Sequence, residues 1–480
     1  MSKVDGVMRC CLILLLGVVA GTAAPNVLLI VVDDLNTRLG CYGQKDVKSP
    51  NIDQLAQMGV RFERAYSHYP ICNPSRTSLL SGRRPTTTRV FDNETSPRKY
   101  LANVAFLPEY FQQHGYFTAR VGKIAHGAYE DQVKWDVALN PTRPPRTIGG
   151  EQRWLATDNK DEDESDGSTA PRIVQLFEKH KDRPFFIAAG FDKPHLPLIA
   201  PKRYFDMYPL ESIQLPDEPG DVRKNVPWVA FSSTGGPWKN ASEHRQVIAA
   251  YYACISFIDA QIGIIMDGLK RNGLLDKTII CFTSDHGFHL GEHGGLWRKS
   301  TLFEESARVP LIMVVPGTKS AVCARVIEHV DLFPTLVELC GLTKPSGLEG
   351  RSFVPLLKDP TAAWDKTAVT LFIRETMLGD AVGQSVRTEQ WRFTQWDGGR
   401  RGTELYDHKS DPHEWTNLAT RAQFAATISE LKQILQASGK PPPGAPPTAL
   451  YGSLFGALAV IIGFVIYRRR TALSRAQPRA

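Results

Sequence analysis

Apolar residues run almost unbroken at four places along the chain: Val27 to Val32, Pro184 to Gly190, Thr278 to Ser284 and Leu311 to Val315. Runs this short and continuous fit strands buried on both faces, as in parallel sheets. Two of them stop at polar pairs, Asp33-Asp34 and Asp285-His286. Helical spacing lies between the runs. Ile52 to Met58 and Leu107 to His114 predict short helices. Across 244–271, Val247, Tyr251, Cys254, Ile255, Ile258, Ile262, Ile265 and Leu269 recur with helical period. The alternation predicts an α/β fold, a large and mainly parallel sheet flanked by helices. The polar residues past the strand ends mark the edge where such sheets place ligands.

After about residue 360 the pattern changes. Val369 to Arg374, Ser385 to Thr388 and Trp391 to Thr394 alternate more, with a turn at Asp397-Gly398-Gly399 and helical spacing near 421–437. A small antiparallel sheet and a helix are expected there, so residues 25–360 read as one large domain and 361–440 as a smaller one. The acid-rich stretch 158–166 reads as an exposed loop, because it lacks the glycine turn of a calcium-binding loop.

Both termini carry membrane signals. Lys3 and Arg9 precede an apolar run from Cys10 to Ala20 and small residues through Ala24, the layout of a cleavable secretory leader over 1–24. Residues 441–448 form a Pro-rich spacer. Ala449 to Tyr467 is uncharged, close to the roughly 20 residues a helix needs to cross a bilayer. Arg468-Arg469-Arg470 opens a basic tail, 468–480, that would stay on the cytoplasmic side. The body is therefore expected outside a membrane, anchored by a C-terminal helix or carrying it as a sorting signal.

Composition refines this picture only slightly. The 480 residues, 42% hydrophobic and 22% charged, suit a globular chain with one large core. The net charge of +7 favours anionic substrates, but it is not the clustered basic stripe of a nucleic-acid binder. Six cysteines follow the leader, too few for a disulfide scaffold. Buried thiols are expected at Cys254 and Cys281, and a Cys323–Cys340 bridge is open. Asn93-Glu94-Thr95 and Asn240-Ala241-Ser242 fit the glycosylation pattern.

The sharpest chemical signal is Cys72-Asn73-Pro74-Ser75-Arg76, at the head of a segment with helix potential. Asp33, Asp34 and Asp285 are hard oxygen donors at strand ends, suited to Ca²⁺ or Mg²⁺. Two adjacent acids after a buried strand are costly without a cation.

Together with Gly122-Lys123-Ile124-Ala125-His126, Lys193-Pro194-His195, Thr283 to Gly287 and Leu290 to Gly294, these segments resemble the type I, formylglycine-dependent sulfatases. Leu35 to Gly43, Tyr208 to Glu211 and Ser385 to Thr388 are most similar to the iduronate 2-sulfatase branch. The resemblance runs from about Asn26 to Leu418 and implies an alkaline-phosphatase-like fold. It implies that a formylglycine-generating enzyme oxidises Cys72 during export. The aldehyde would hydrate to a diol, whose second hydroxyl lets sulfate be expelled where a serine would be left as a stable ester.

It further implies one divalent cation, Ca²⁺ before Mg²⁺, held by Asp33, Asp34, Asp285, His286 and an oxygen at position 72. Arg76, Lys123 and Lys299 match the family's cationic set, and Lys123, His195 and Lys299 would also bind the substrate. His126 matches the base acting on the diol, and His195 the residue beside the leaving oxygen. Arg298 is the alternative to Lys299 in the alignment, Phe288 is a candidate wall of the sugar pocket, and His293 is a weaker candidate. The implied substrate is a 2-O-sulfated uronic acid in a sulfated polysaccharide. The rival readings are a phosphomonoester or phosphodiester hydrolase of the same superfamily and a non-catalytic, membrane-anchored glycan-binding protein.

Overall fold

Strand Asn26–Val32 shows why the fold closes around it. All seven residues are buried. Leu28, Ile30 and Val32 point into one apolar core, while Val27, Leu29 and Val31 point into another. Phe185–Phe191 and Thr278–Ser284 divide in the same way: Ile187 and Phe282 face the first core, Phe186 and Cys281 the second. A sheet apolar on both faces must be covered on both, and it is.

The computed structural model describes residues 24–141, 153–231 and 235–439. The leader, apart from Ala24, and the spacer, apolar helix and basic tail of 441–480 lie outside them. Eight strands form the large sheet in the order Ala321–Glu328, Val60–Tyr66, Arg308–Val314, Thr278–Ser284, Asn26–Val32, Phe185–Phe191, Phe117–Val121, Val137–Leu139. All pairings are parallel except the two made by Arg308–Val314. The sheet is thus mixed, with one reversed strand. Pro310 sits in that strand where its register against Val60–Tyr66 shifts, an irregularity suited to a residue that lacks an N–H.

The helix Ala241–Arg271 covers the first core. Asn240 caps it, its Oδ1 accepting from Glu243 N at 2.9 Å. It is long and apolar enough to cross a membrane by length and composition, but most of it is buried inside the fold. Helices Leu107–Gln113 and Leu332–Leu339 cover the second core.

The C-terminal part forms a four-stranded antiparallel sheet, Ala368–Arg374, Ala381–Arg387, Trp391–Trp396 and Thr403–Asp407 in sequence order. The helix Ala425–Ala437 packs Leu431 and Leu435 against Val386, Phe393 and Leu405. A buried ionic network joins this sheet to the large domain. Glu304 accepts from Tyr66 Oη at 2.9 Å and pairs with Arg392, and Arg392 also pairs with Glu414, which lies 2.7 Å from His408 Nε2.

Two expectations are corrected. The acidic stretch 158–166 is exposed only in part: residues 158–160, 162 and 163 face solvent, but three of its acids do not. Asp161, Glu164 and Asp166 are buried; Asp161 Oδ2 accepts from Tyr204 Oη at 2.6 Å and from Gln261 Nε2 at 2.9 Å. These acids replace water with fixed donors, so they turn inward. The second is the open Cys323–Cys340 bridge: all six described cysteines are free.

Arg392→Met leaves Glu304 and Glu414 without their shared guanidinium. It is expected to cost about 3–5 kcal/mol, read as a fall in the urea unfolding midpoint. Burial also lowers the pKa of His68 to about 4, of His289 to about 4 and of His329 to about 3, against an ordinary 6.5. Below pH 6.5 the unfolded chain binds protons that these rings refuse in the folded state, so their contribution to stability is lost as pH falls from 6.5 towards 4. His293 does not act in this window: burial disfavours its charge, yet Glu305 outweighs burial and raises it to about 9, so its contribution builds as pH falls from 9 to 6.5 and is constant below that. With these rings losing their contribution in this window, the unfolding temperature is expected to drop across pH 6.5 to 4.

Candidate active site

Four strand ends meet at one edge of the large sheet. Asp33 and Asp34 follow Val32, Asp285 follows Ser284, Lys123 follows Val121 by two residues, and Asp192 follows Phe191. Asp34 takes a left-handed conformation, φ 63°, which acidic residues tolerate better than most. Tyr251 Oη stabilises the bend, donating to Asp34 O at 2.7 Å and accepting from Asn36 N at 3.0 Å. Two consecutive carboxylates therefore both reach the site. Gly122 is also left-handed, and a Cβ there would stand 2.0 Å from Gly190 O. Only glycine lets the two strand ends approach closely enough for Lys123 to pair with Asp33.

The helix Cys72–Ser81 begins at the candidate nucleophile. Cys72 and Arg76 are four residues apart and so share one helix face. Arg76 is buried and uses its whole fork. Its Nε donates to Asp285 Oδ2 at 2.9 Å, Nη2 to Asp33 Oδ1 at 3.1 Å, and Nη1 to Lys123 O at 2.8 Å and Ile124 O at 3.1 Å. Ser75 Oγ donates to Asp285 O, so the helix is stitched to this strand end twice.

Cys72 Sγ lies 3.4 Å from His286 Nε2 and 3.2 Å from Lys299 Nζ, which also pairs with Asp34. His286 Nδ1 lies 3.0 Å from Gly287 O. A carbonyl can only accept, so Nδ1 carries the proton and the Nε2 lone pair faces Asp34 Oδ1 at 3.5 Å and Asp285 Oδ2 at 3.6 Å. One possible ligand atom each from Asp33, Asp34, Cys72 and His286 lies within 4.8 Å of the others. An imidazole lone pair aimed at carboxylate oxygens is repulsive unless a cation stands between them. The donor set fits a hard divalent ion such as Ca²⁺ or Mg²⁺.

Burial works against charge on Asp33, but Lys123 and Arg76 outweigh it and hold that carboxyl well below the usual range. Burial likewise opposes charge on Asp34, where Lys299 and His195 prevail. The Cys72 thiol is pushed up, first by burial and then by Asp33. His126 is lowered to about 4 by burial, with Lys123 and Arg76 adding to the effect.

Beside this cluster opens a cleft of about 570 Å³, lined among others by Lys123, His126, Glu130, Asp166, Lys193 and His195. His195 Nδ1 lies 2.7 Å from Leu196 O, and its Nε2 is 4.0 Å from Asp34 Oδ2.

Asp33, Asp34, Cys72, Arg76, Lys123, Asp285, His286 and Lys299 thus converge, and His126 and His195 stand on the cleft wall. Of the two alternatives in the Arg298-Lys299 pair, Lys299 reaches Cys72. Two expected positions fall elsewhere. Phe288 is fully buried, stacked on Tyr251 with ring centroids 5.2 Å apart and edge-on to Trp297, so it packs the core instead of walling a sugar pocket. His293 pairs with Glu305 at 3.0 Å, away from the cation donors.

Two supporting residues escaped the sequence reading. Glu130 accepts from Ile124 N at 2.8 Å and Ala125 N at 3.1 Å, fixing the loop between Lys123 and His126. Asp166 accepts from Asp192 N at 2.9 Å and Lys193 N at 2.7 Å, fixing the approach to His195. Neither belongs to a motif; their only mark was an acid beside a loop.

Buried acids that could hold a cation, a candidate nucleophile at a helix start and three flanking cationic side chains are the parts that hydrolysis of an anionic ester requires. The sulfatase family profile matches residues 25–342, and a profile described as N-sulphoglucosamine sulphohydrolase, C-terminal, matches 291–440. Iduronate 2-sulfatase of Mus musculus is 35% identical, covering 86% of this chain and 94% of that protein. A protein named sulfatase from Formosa agariphila is 33% identical, covering 86% of each. The solved structure of a 2-O GAG sulfatase superposes with TM-score 0.70 at 25% identity, over 86% of this chain and 92% of that one. Phosphonate monoester hydrolase of Agrobacterium radiobacter shares the fold, with TM-score 0.73 at 24% identity over 86% and 95%. The chain belongs to the sulfatase family, with its alkaline-phosphatase-like fold.

In the wild-type protein, Ca²⁺ at a hundredfold excess over Kd is expected to add about 2.7 kcal/mol of stability, seen as a raised unfolding temperature. Asp33→Asn and Asp285→Asn are expected to abolish that rise. A variant that keeps it in full removes its acid from the cation site.

Proposed function

We propose that this chain hydrolyses sulfate monoesters on sugars, with a 2-O-sulfated uronic acid of a polysaccharide as its substrate, through formylglycine made from Cys72. The observation that carries this reading is the meeting of Cys72, His286 and Lys299 inside a ring of three acids at one sheet edge. The sugar assignment is supported by relatives named iduronate 2-sulfatase at 35% and 31% identity and by the likeness to a 2-O GAG sulfatase. The reading includes export, a formylglycine-generating enzyme as maturation partner, and anchoring through residues 449–467.

Cys72, oxidised to an aldehyde by that maturation enzyme and its oxidant and then hydrated by water, would offer one hydroxyl that attacks sulfur as the S–O bond to the sugar breaks, and a second whose deprotonation re-forms the aldehyde and expels sulfate with the first oxygen. A divalent cation held by Asp33, Asp34, Asp285 and His286, Ca²⁺ in this reading, would lower the pKa of that hydroxyl and offset charge on the sulfate oxygens. The remaining work falls to the chain's own side chains. Lys123 and Lys299 provide fixed positive charge where sulfate oxygens gather in the transition state. Their ammonium groups are held charged, because Asp33 and Asp34 outweigh the effect of burial. His195, on the cleft wall, is placed to give a proton to the leaving sugar oxygen, together with Lys299. His126 is neutral at physiological pH, as a base must be to accept the proton of the second hydroxyl. Arg76 orients the acids and the loop that carries Lys123.

Peptide mass spectrometry of the mature protein is expected to find an aldehyde in place of the thiol at position 72. An intact thiol would favour the non-catalytic glycan-binding reading. Cys72→Ala is expected to fold normally and lose all turnover. Purified protein is expected to cleave aryl sulfate far faster than aryl phosphate. The reverse preference would return the chain to the phosphoester hydrolases that share its fold.

A further inference from the structure

Arg374 is the last residue of the strand Ala368–Arg374, in the small C-terminal sheet. Its guanidinium lies over Phe372 and Trp396, and its hydrogen-bond partners are main-chain oxygens. Nε donates to Val229 O at 2.5 Å and Nη2 to Ser300 O at 2.7 Å, with Ala230 O at 3.5 Å. A partly buried guanidinium spent on carbonyls is a costly way to pack a surface, because among the described residues no carboxylate pairs with it. Burial accordingly lowers its pKa to about 10, with only Tyr69 and Glu404 opposing.

Its target explains the arrangement. Ser300 follows Lys299, the residue whose ammonium lies between Asp34 and Cys72. The loop is contorted there: Arg298 and Ser300 both have left-handed backbones, φ 72° and 74°, which such residues adopt only when their surroundings enforce it. Two contacts supply the enforcement. Ser300 N donates to Pro70 O at 3.2 Å, and Arg374 takes Ser300 O.

The same strand also grips the segment leading to Cys72. Thr370 Oγ1 donates to Ser67 O at 2.8 Å, Leu371 N to His68 O at 2.9 Å and Ile373 N to Tyr69 Oη at 3.0 Å. One strand of the small sheet therefore holds both the nucleophile's approach and the Lys299 loop, and it fixes one against the other.

We propose that Arg374 is a positioning residue for the active site: by clamping Ser300 O it sets the Lys299 ammonium at the nucleophile, so that the C-terminal sheet completes the catalytic centre. This rests on the reading of Lys299 as a residue that acts at position 72.

The test is a double-mutant cycle in the mature full-length protein. Wild type, Arg374→Gln, Lys299→Met and the double variant are assayed for kcat and KM on an aryl sulfate and on a sulfated sugar, with unfolding temperatures recorded. Should Arg374→Gln not fold, Arg374→Lys takes its place, since it keeps the charge and loses the fork. Displacing a catalytic group by about 1 Å costs about a hundredfold. Arg374→Gln is expected to lower kcat about ten- to a hundredfold with little change in KM. The loss should be larger on the sugar, whose poorer leaving oxygen depends more on Lys299.

In the Lys299→Met background the same substitution is expected to cost less than about twofold, because residues acting as one unit are not additive. Equal fractional losses with and without Lys299 overturn the inference and leave the proposed function standing. A Lys299→Met protein as active as wild type overturns the assignment of Lys299 itself, and this inference with it.

Discussion

Three carboxyl side chains buried at one sheet edge repel each other and have lost their water, so the site depends on the positive charge placed among them. Arg76 carries most of that burden. Its planar fork reaches Asp33 and Asp285 from different strands and, through two carbonyls, the loop bearing Lys123. Lysine has no such fork and could not make these contacts together. The four-residue spacing from Cys72 to Arg76 follows from the same demand. One helix turn presents Cys72 to Asp34, His286 and Lys299 and a guanidinium to Asp33 and Asp285. Lys123 pairs with Asp33 Oδ2 and Lys299 with Asp34 Oδ1, so three cationic side chains face three carboxylates.

Around this centre the chain uses two kinds of scaffold. The large sheet supplies acids and loops from strand ends, where rigid backbone fixes them to within a fraction of a residue's length. The small sheet acts from the side, through the Glu304–Arg392–Glu414 network and the contacts of strand Ala368–Arg374 with residues 67–69. The resemblance in fold to a phosphonate monoester hydrolase shows that the scaffold alone does not select sulfur over phosphorus. Selection has to come from the side chains that line the cleft.

Strands buried on both faces were legible because nothing polar interrupts them, and the acids that end them stood out for the same reason. Val60–Tyr66 was not legible: Arg61, Glu63 and Arg64 lie near its solvent side and break the apolar run. Thr403–Asp407 is short and half polar, and it owes its conformation to pairing with Trp391–Trp396. Cys72, Arg76, Lys123, Asp285 and His286 could be named from local motifs, but their contacts span up to 251 positions and belong to the topology. The choice between Arg298 and Lys299 turned on two left-handed residues, which no side-chain pattern announces. Phe288 misled because an aromatic beside a catalytic segment looks the same whether it faces a ligand or Trp297. The acids at 161, 164 and 166 misled because a run of charge usually means solvent, and here it means three separate anchoring points.

If Cys72 is converted as proposed above, its burial sets an order of events during biosynthesis. In the folded molecule the thiol is 1% exposed, beneath Lys299 and against His286. An enzyme large enough to alter that side chain has no path to it once those neighbours are in place. The segments that shut it in come from residues 286–299 and, behind them, from a strand ending at residue 374. Both emerge from the ribosome long after position 72. Late synthesis of its enclosure leaves the cysteine accessible for an interval, and the proposed conversion would have to fall within it.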